Sequence, residues 1–191
     1  MLARYKAKLK SALNALAYPL AKVGVNPNAL TLSGLALALL AVLAARSGVG
    51  PIFVFALLAL SSLLDALDGA LARITSKVTR FGAFLDSTTD RLSDAMFDVA
   101  LYEVGLLSPY ELLTLLVAEY LISYTRARAE GLGVKMEGVG LMERGERVLL
   151  KAVALLLTPY AEVARLVLYT LIILSLLTVV QRISYVARAL G

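Results

Sequence analysis

The sequence of 191 residues contains no cysteine, no histidine and no tryptophan. Without cysteine, the chain has no disulfide and no thiolate metal site. Without histidine, it lacks both the usual imidazole base and the usual nitrogen ligand for zinc. Any general base in this chain must therefore be a carboxylate, a lysine or a tyrosine.

Charged residues are also few, at 17%, whereas 60% of the residues are apolar. The mean hydropathy is +0.81, and a soluble domain has only about 45–50% apolar residues. The composition predicts an all-α integral membrane protein that forms a single domain over residues 1–191. The net charge of +5 indicates contact with anionic lipid head groups or phosphorylated substrates. No alternation of aromatic and basic residues points to nucleic acid.

Apolar segments separated by turn signals predict six transmembrane helices. They cover about residues 29–45, 52–74, 81–106, 110–128, 146–157 and 162–188. Residues 1–23 are too charged to span and lack a signal-peptide cleavage site, so they predict an amphipathic helix on the membrane surface; a disordered basic tail is the alternative. The domain thus divides into this juxtamembrane helix and a six-helix core over residues 24–191. The segment Glu130–Gly145 predicts a soluble loop between the fourth and fifth spans.

The segment from Asp65 to Asp90 concentrates the polar chemistry of the chain. Asp65 and Asp68 are three residues apart, and Asp86 and Asp90 are four apart, so on helices each pair shares one face. If the two faces oppose each other, four carboxylates converge, and their repulsion calls for a hard divalent cation. We therefore predict a Mg²⁺ or Mn²⁺ site formed by these four aspartates, with space for two ions.

A simpler explanation exists for any one of these aspartates, because an acid near the end of a membrane helix often just faces water. An aspartate at a helix centre costs about 2.5–3.5 kcal/mol on insertion scales. Four of them, with Asp94 following on the same row, are difficult to place without a shared role. Asp94 and Asp98 lie beyond the paired motif, and we assign them no metal.

Lysine and arginine are unevenly distributed between the two sides of the predicted bundle. With six spans, both termini lie on the same side as the loops after spans two and four, and that side holds most of the basic residues. The opposite side holds Arg46 and Arg165. The positive-inside rule predicts a multi-pass protein of the cell membrane, with its termini and the acidic motif at the cytoplasmic face.

The acidic segment resembles the signature of the CDP-alcohol phosphotransferase family, D-x-x-D-G-x-x-A-R-x8-G-x3-D-x3-D. All eight fixed positions are present at the required spacing: Asp65, Asp68, Gly69, Ala72, Arg73, Gly82, Asp86 and Asp90. The resemblance implies a transferase of phospholipid biosynthesis that moves a lipid phosphate group from a CDP-lipid to an alcohol and releases CMP. It also implies a homodimer.

The same resemblance implies roles for individual residues. Asp65, Asp68 and Asp86 would hold metal, and Asp90 would be the general base, either alone or while also ligating a second ion. The residues implied for CDP-lipid binding are Asn28, Ala29, Leu30, Thr31, Gly69, Arg73 and Thr79. A helix cap at Asn26 and Pro27 explains the first four of these equally well.

Four arginines near the predicted cytoplasmic helix ends bear on the acceptor: Arg126, Arg144, Arg147 and Arg182. Basic helix ends are common on that side and explain any one of them, but a cluster of guanidinium groups suits a phosphate ester rather than serine or choline. The segments S-Y-x-x-A-R-A-E from Ser123 and T-R-F-G-A-x-L-D from Thr79 resemble the phosphatidylinositol-phosphate synthases of actinobacteria and their archaeal counterparts. This implies L-myo-inositol 1-phosphate as acceptor and CDP-diacylglycerol or CDP-archaeol as donor. Glycerol 3-phosphate is the alternative acceptor.

A small cation transporter would also place acids and bases within a membrane. Such a protein is expected to show an internal repeat or helices broken at mid-membrane, and no repeat is evident in this sequence. The acids fall instead near helix ends on one side, which favours the enzyme.

Overall fold

The computed structural model describes the backbone of residues 2–191 and the side chains of residues 11–191. This described backbone is all-helical and contains no strand. The helices are α1 (Leu2–Lys22), α2 (Pro27–Arg46), α3 (Pro51–Ile74), α4 (Arg80–Glu103), α5 (Pro109–Gly131), α6 (Arg144–Leu156) and α7 (Ala161–Leu190). The all-α prediction is confirmed, and the helices predicted from the sequence correspond to α1–α7 with ends shifted by a few residues.

Capping residues determine where these helices begin. At α2, the Asn28 N–H donates to the side chain of Asn26 at 3.0 Å, and Pro27 occupies the first turn. At α5, Ser108 and Glu111 form a reciprocal capping box. These residues satisfy backbone N–H groups that have no partner inside the helix, so the breaks follow from local chemistry.

Only part of the six-span prediction follows from helix length and composition. Among the described helices, α2, α3 and α7 are long and apolar enough to cross a membrane. Helix α6 has 13 residues, a length of about 20 Å against a hydrocarbon core of about 30 Å. Helices α4 and α5 are long enough but fall short because they carry charged side chains, and several charged side chains of α4–α6 are directed into the bundle. The buried members of this set are Asp94, Asp98, Glu119, Arg147 and Lys151.

Small residues allow α2 to pack closely against α3 and α4. Gly34, Ala38 and Ala41 are buried along one face of α2. The Ser61 hydroxyl of α3 donates to the Gly34 carbonyl at 2.7 Å, and a Cβ added at Gly34 would lie 3.3 Å from the Ser61 carbonyl oxygen. Such close backbone approach is how membrane helices gain packing and interhelical hydrogen bonds.

Two hydrophobic clusters flank the region that contains the acidic residues. The larger cluster joins all six helices from α2 to α7, and includes Val54, Phe97, Leu101, Leu115 and Leu168. The smaller one joins α1, α2 and α3 through Ala17, Leu30, Leu67, Ala70 and Leu71. Asp65 and Asp68 lie in the C-terminal half of α3, and Asp86 and Asp90 lie in the N-terminal half of α4.

The loop between α5 and α6 differs from the predicted soluble segment. Met136 and Met142 are only 1% and 3% exposed, and the Met142 N–H donates to the Thr178 hydroxyl of α7 at 3.1 Å. Because the two methionines bury their side chains, the loop folds back onto the bundle.

We expect Gly34→Leu to destabilise the protein by about 1–3 kcal/mol, because the new side chain overpacks the contact between α2 and α3. The loss would occur although leucine favours helix more than glycine. The measurement is the apparent Tm in detergent, followed by size-exclusion chromatography after heating. Ala36→Leu, at an exposed position of the same helix, is the control and should leave the Tm unchanged; equal Tm values for the two variants would contradict the packing argument.

Candidate active site

Three carboxylates from two helices meet in one group. Asp65 and Asp68 of α3 and Asp86 of α4 each direct an oxygen so that the three atoms lie within 4.8 Å of one another. Asp68 is buried, Asp65 and Asp86 are partly exposed, and the Thr31 hydroxyl of α2 donates to the Asp68 carboxylate. The sequence spacing thus brings together three of the four aspartates predicted as metal ligands.

The charge of this group is incompletely compensated by the protein. Among the side chains that the structure describes, residues 11–191, no lysine or arginine forms an ion pair with Asp68 or Asp86. Neighbouring carboxylates in a partly buried site repel each other unless a cation joins them. An all-oxygen ligand set of this kind fits Mg²⁺ or Mn²⁺.

Asp90 lies outside this group, and its oxygens face arginines. Its Oδ1 is 2.8 Å from Arg144 Nη1, and its Oδ2 is 3.4 Å from Arg91 Nη1. The same Arg144 guanidinium also contacts Asp65, and its Nε is 3.2 Å from Asp94 Oδ1. Arg144 therefore connects a carboxylate of the three-aspartate group with Asp90 and Asp94.

A ladder of buried ion pairs continues this connection between α4 and α6. Arg147 Nη2 lies 3.2 Å from Asp94 Oδ2, and Lys151 Nζ lies 2.6 Å from Asp98 Oδ1. Glu119 of α5 contacts both cations, at 3.4 Å from Arg147 and 2.9 Å from Lys151. Lys151 and Glu119 have no role among the predictions from the sequence, although positions 144, 147 and 151 have the spacing of one helix face.

A cavity of about 290 Å³ opens beside the three-aspartate group. It is lined by Pro27, Asn28, Thr31, Asp68, Gly69, Ala72, Arg73, Lys77, Val78, Thr79, Gly82, Ala83 and Asp86. We call it the donor cavity, since five of the seven residues predicted for CDP-lipid binding line it. The other two do not: Ala29 is exposed, and Leu30 packs in the smaller hydrophobic cluster. The structure adds Lys77, a second cationic residue in the lining besides Arg73.

Glycine makes room at two points in the donor cavity. A Cβ on Gly82 would lie 3.0 Å from Thr79 Oγ1 and 3.3 Å from Asn28 Oδ1, and a Cβ on Gly69 would lie 3.3 Å from Arg73 Nη1. Thr79 also caps α4, because its hydroxyl accepts from the Gly82 N–H at 2.9 Å. The fixed glycines therefore let polar side chains approach the backbone at this wall.

A second cavity, of about 270 Å³, lies on the other side of Asp90. It is lined by Asp90, Arg91, Ile122, Ser123, Arg126, Glu143, Arg144, Gly145, Arg147 and Arg182. We call it the acceptor cavity, because all four arginines predicted to bind the acceptor phosphate line it. Five guanidinium groups against two carboxylates give this cavity a positive balance suited to an anion.

The four arginines differ in how their charge is used. Arg126 is exposed and pairs with Glu130 at 2.9 Å, and Arg182 is 3% exposed. Arg147 is 4% exposed, and its charge is already paired with Asp94 and Glu119. Its predicted direct phosphate contact therefore has less support from the geometry than those of Arg126 and Arg182. Arg144 is also paired, with Asp65, Asp90 and Asp94, but its side chain is 26% exposed, whereas that of Arg147 is 5% exposed.

An all-helical bundle in which one helix lines one cavity with Asp86 and a second cavity with Asp90 is the arrangement expected of a membrane enzyme that joins two substrates. The family model for CDP-alcohol phosphatidyltransferase matches residues 24–189. The chain belongs to this family of transferases. Among curated relatives, it is 40% identical over 186 residues to the archaetidylinositol phosphate synthase of Pyrococcus horikoshii, covering 96% of this chain and 95% of that protein. It is 39% identical over 175 residues to the phosphatidylinositol phosphate synthase of Corynebacterium glutamicum, covering 85% and 78%.

Solved structures agree in fold. A crystal structure of Mycobacterium tuberculosis phosphatidylinositol phosphate synthase with CDP-DAG bound has a TM-score of 0.78 and 30% identity, covering 91% of this chain and 92% of that one. The same enzyme in complex with manganese and citrate has a TM-score of 0.79 at 30% identity, covering 92% and 88%. The predicted membership of the CDP-alcohol transferase family is confirmed.

We expect Asp86→Asn to weaken Mn²⁺ binding by about tenfold or more, because the variant removes one charged oxygen ligand from a group of three. Electron paramagnetic resonance of free Mn²⁺ in a titration of the detergent-solubilised protein measures this directly. Glu137→Gln, an exposed acid of the α5–α6 loop, is the control. Wild-type affinity in Asp86→Asn would show that this group does not hold the ion.

Proposed function

We propose that the chain transfers a phosphatidyl-type lipid group from CDP-diacylglycerol or CDP-archaeol to L-myo-inositol 1-phosphate, releasing CMP. One observation carries this proposal: Asp86 lines the donor cavity, and Asp90, one turn further along α4, lines the acceptor cavity. The two substrates would therefore meet at adjacent turns of one helix. The arginines of the acceptor cavity favour a phosphorylated acceptor, and the synthases reported above form inositol-phosphate lipids by name.

On the donor side, the chain provides separate groups for the nucleotide and for its phosphates. Asn28, Thr31, Gly69 and Thr79 would hold the nucleotide, and Arg73 with Lys77 would bind the pyrophosphate oxygens. Asp65, Asp68 and Asp86 would hold the ion. Bound there, Mg²⁺ or Mn²⁺ supplies neutralisation of the pyrophosphate and of the departing CMP; with Asp90 as a further ligand, two ions would fit.

On the acceptor side, Arg126, Arg144 and Arg182 would bind the phosphate of the acceptor and direct a ring hydroxyl towards the donor. Asp90 takes the proton of this hydroxyl as a general base. The hydroxyl oxygen forms a bond to the β-phosphorus of the CDP-lipid. The bond from that phosphorus to the bridging oxygen breaks, and CMP leaves with the bridging oxygen and its electron pair.

The proposal includes a membrane topology and an assembly. All of residues 1–191 form one domain, in which α2–α7 cross the cell membrane six times, α1 lies at its surface and the carboxylates are at the cytoplasmic face. The charged helices α4–α6 would be stabilised in this setting by the ion-pair ladder, which keeps their charges away from lipid. The assembly would be a homodimer, as the resemblance to the CDP-alcohol phosphotransferase family implies.

The experiment that tests the function measures CMP release by the purified protein with Mg²⁺, a CDP-lipid and one of four acceptors: inositol 1-phosphate, glycerol 3-phosphate, inositol or serine. We expect release to be fastest with inositol 1-phosphate. Running the assay with both CDP-diacylglycerol and CDP-archaeol identifies the donor. Preference for glycerol 3-phosphate would assign the alternative acceptor, and preference for inositol or serine would refute a phosphate-binding cavity.

The same assay locates the acceptor phosphate. Arg126→Ala should raise the KM for inositol 1-phosphate about tenfold while the KM for the CDP-lipid stays constant, because a charged hydrogen bond to phosphate contributes about 1.5–3 kcal/mol. Arg128→Ala is the matched control, since Arg128 is exposed on the same helix and does not line the acceptor cavity. An unchanged KM in Arg126→Ala would remove this residue from the phosphate site.

We expect Asp90→Asn to retain CDP-lipid binding and to lower turnover by about 100-fold or more, as removal of a general base does. The measurements are kcat from CMP release and equilibrium binding of the CDP-lipid. Thr88→Ala, on an exposed position of α4, controls for changes in the helix. Turnover at the wild-type rate in Asp90→Asn would exclude Asp90 from the mechanism, and a fall in the number of Mn²⁺ ions bound would show that it also ligates metal.

A further inference from the structure

The loop between α5 and α6 is joined to α7 by three hydrogen bonds within four residues. The Leu141 N–H donates to Gln181 Oε1 at 3.1 Å, and the Met142 N–H donates to Thr178 Oγ1 at 3.1 Å. In the other direction, Arg182 Nε donates to the Val139 carbonyl at 3.0 Å. Positions 178, 181 and 182 share one face of α7, so residues 139–142 form a clasp along that face.

Glycine at position 140 is what permits this contact. Gly140 has a φ of +106°, a backbone conformation that side-chain-bearing residues seldom adopt. A Cβ added there would lie 2.5 Å from Thr178 Cγ2, well inside van der Waals contact. Its next neighbours, Arg182 Nε at 3.5 Å and Thr178 Cβ at 3.6 Å, are at ordinary distances. The methyl group of Thr178 is therefore the nearest steric obstacle to a side chain at position 140, in addition to the backbone conformation.

The clasp fixes a guanidinium group that belongs to the acceptor cavity. Arg182 lines that cavity, is 3% exposed, and also donates from Nη1 to the Ile122 carbonyl at 2.5 Å. Among the side chains of residues 11–191, no carboxylate forms an ion pair with it. A buried charge held only by carbonyl dipoles is costly until an anion pairs with it, and a guanidinium has five N–H donors, of which these contacts use two.

We infer that the clasp, residues 139–142, positions Arg182 for the phosphate of the acceptor, and that Gly140 and Thr178 are positioning residues for acceptor binding. The inference rests on the proposed function and extends it to residues that do not line the cavity. The carbonyls of Val139 and Ile122 accept hydrogen bonds from Arg182 and so orient its guanidinium plane. Thr178 and Gln181 accept hydrogen bonds from the backbone of the clasp and so fix the position of Val139. A displaced loop would leave Arg182 in place on α7 but turn its free N–H groups away from the phosphate.

The test compares Gly140→Ala with two matched variants in the CMP-release assay. Gly140→Ala should raise the KM for inositol 1-phosphate about tenfold, because a small misplacement of a positioning group is costly, and should leave the KM for the CDP-lipid and Mn²⁺ affinity unchanged. Gly138→Ala is the control, since Gly138 also has a positive φ, +74°, but has nothing within 4 Å of its added Cβ. Gly140→Ala combined with Thr178→Ser should recover part of the acceptor affinity, because serine removes the obstructing methyl group and keeps the hydroxyl that accepts from Met142, while the strain of the positive φ at position 140 remains.

A second variant keeps the inference testable. If Gly140→Ala does not fold, Gln181→Leu, at an exposed position, removes one hydrogen bond of the clasp and should raise only the acceptor KM. Three results would overturn the inference: an acceptor KM equal to that of the wild type in these variants, an equal rise in KM for both substrates, or an equal effect in Gly138→Ala. In each case the proposed function would stand as long as the wild-type protein transfers to a phosphate ester. Wild-type protein that transfers only to unphosphorylated acceptors, or to none, would overturn both.

Discussion

Repulsion between carboxylates on α3 and α4 is the constraint on which the rest of the structure depends. Asp65, Asp68 and Asp86 converge, and in a partly buried setting such a group stays together only if positive charge is supplied. The chain supplies part of it through Arg144, which contacts Asp65 from α6. The proposed ion would supply the rest. A folding requirement and the proposed catalytic requirement would then share the same oxygens.

The buried ladder extends this balance deeper into the bundle. Asp94, Asp98 and Glu119 face Arg147 and Lys151, so three helices that are poor membrane spans by composition bury their charges against one another. Removing one member would leave a partner uncompensated, which is costly in a buried site. The ladder therefore explains both the modest hydropathy of α4–α6 and the commitment of Arg147 to structure.

Most helix positions and the shared faces of the three-aspartate group can be predicted from the sequence. Helix caps and i, i+3 or i, i+4 spacing are properties of a single helix, so they can be recognised without knowing the tertiary structure. Asn26 and Pro27 predict the start of α2, and the paired aspartates predict a common face. Contacts between helices cannot be predicted in this way, because they depend on how each helix is rotated relative to its neighbours. The partners of Lys151, the packing of Leu30 away from the donor cavity and the burial of Met136 and Met142 all depend on tertiary placement.

The separation of the donor and acceptor cavities has a stereochemical consequence. If the two cavities bind the substrates as proposed, both substrates can be present together, because each cavity has its own lining and the two meet at neighbouring turns of α4. The attacking oxygen would then approach opposite the departing nucleotide, and the chain would need no covalent phospho-enzyme. A single in-line displacement of this kind inverts the configuration at phosphorus, and the kinetics would follow a ternary-complex pattern rather than a ping-pong one.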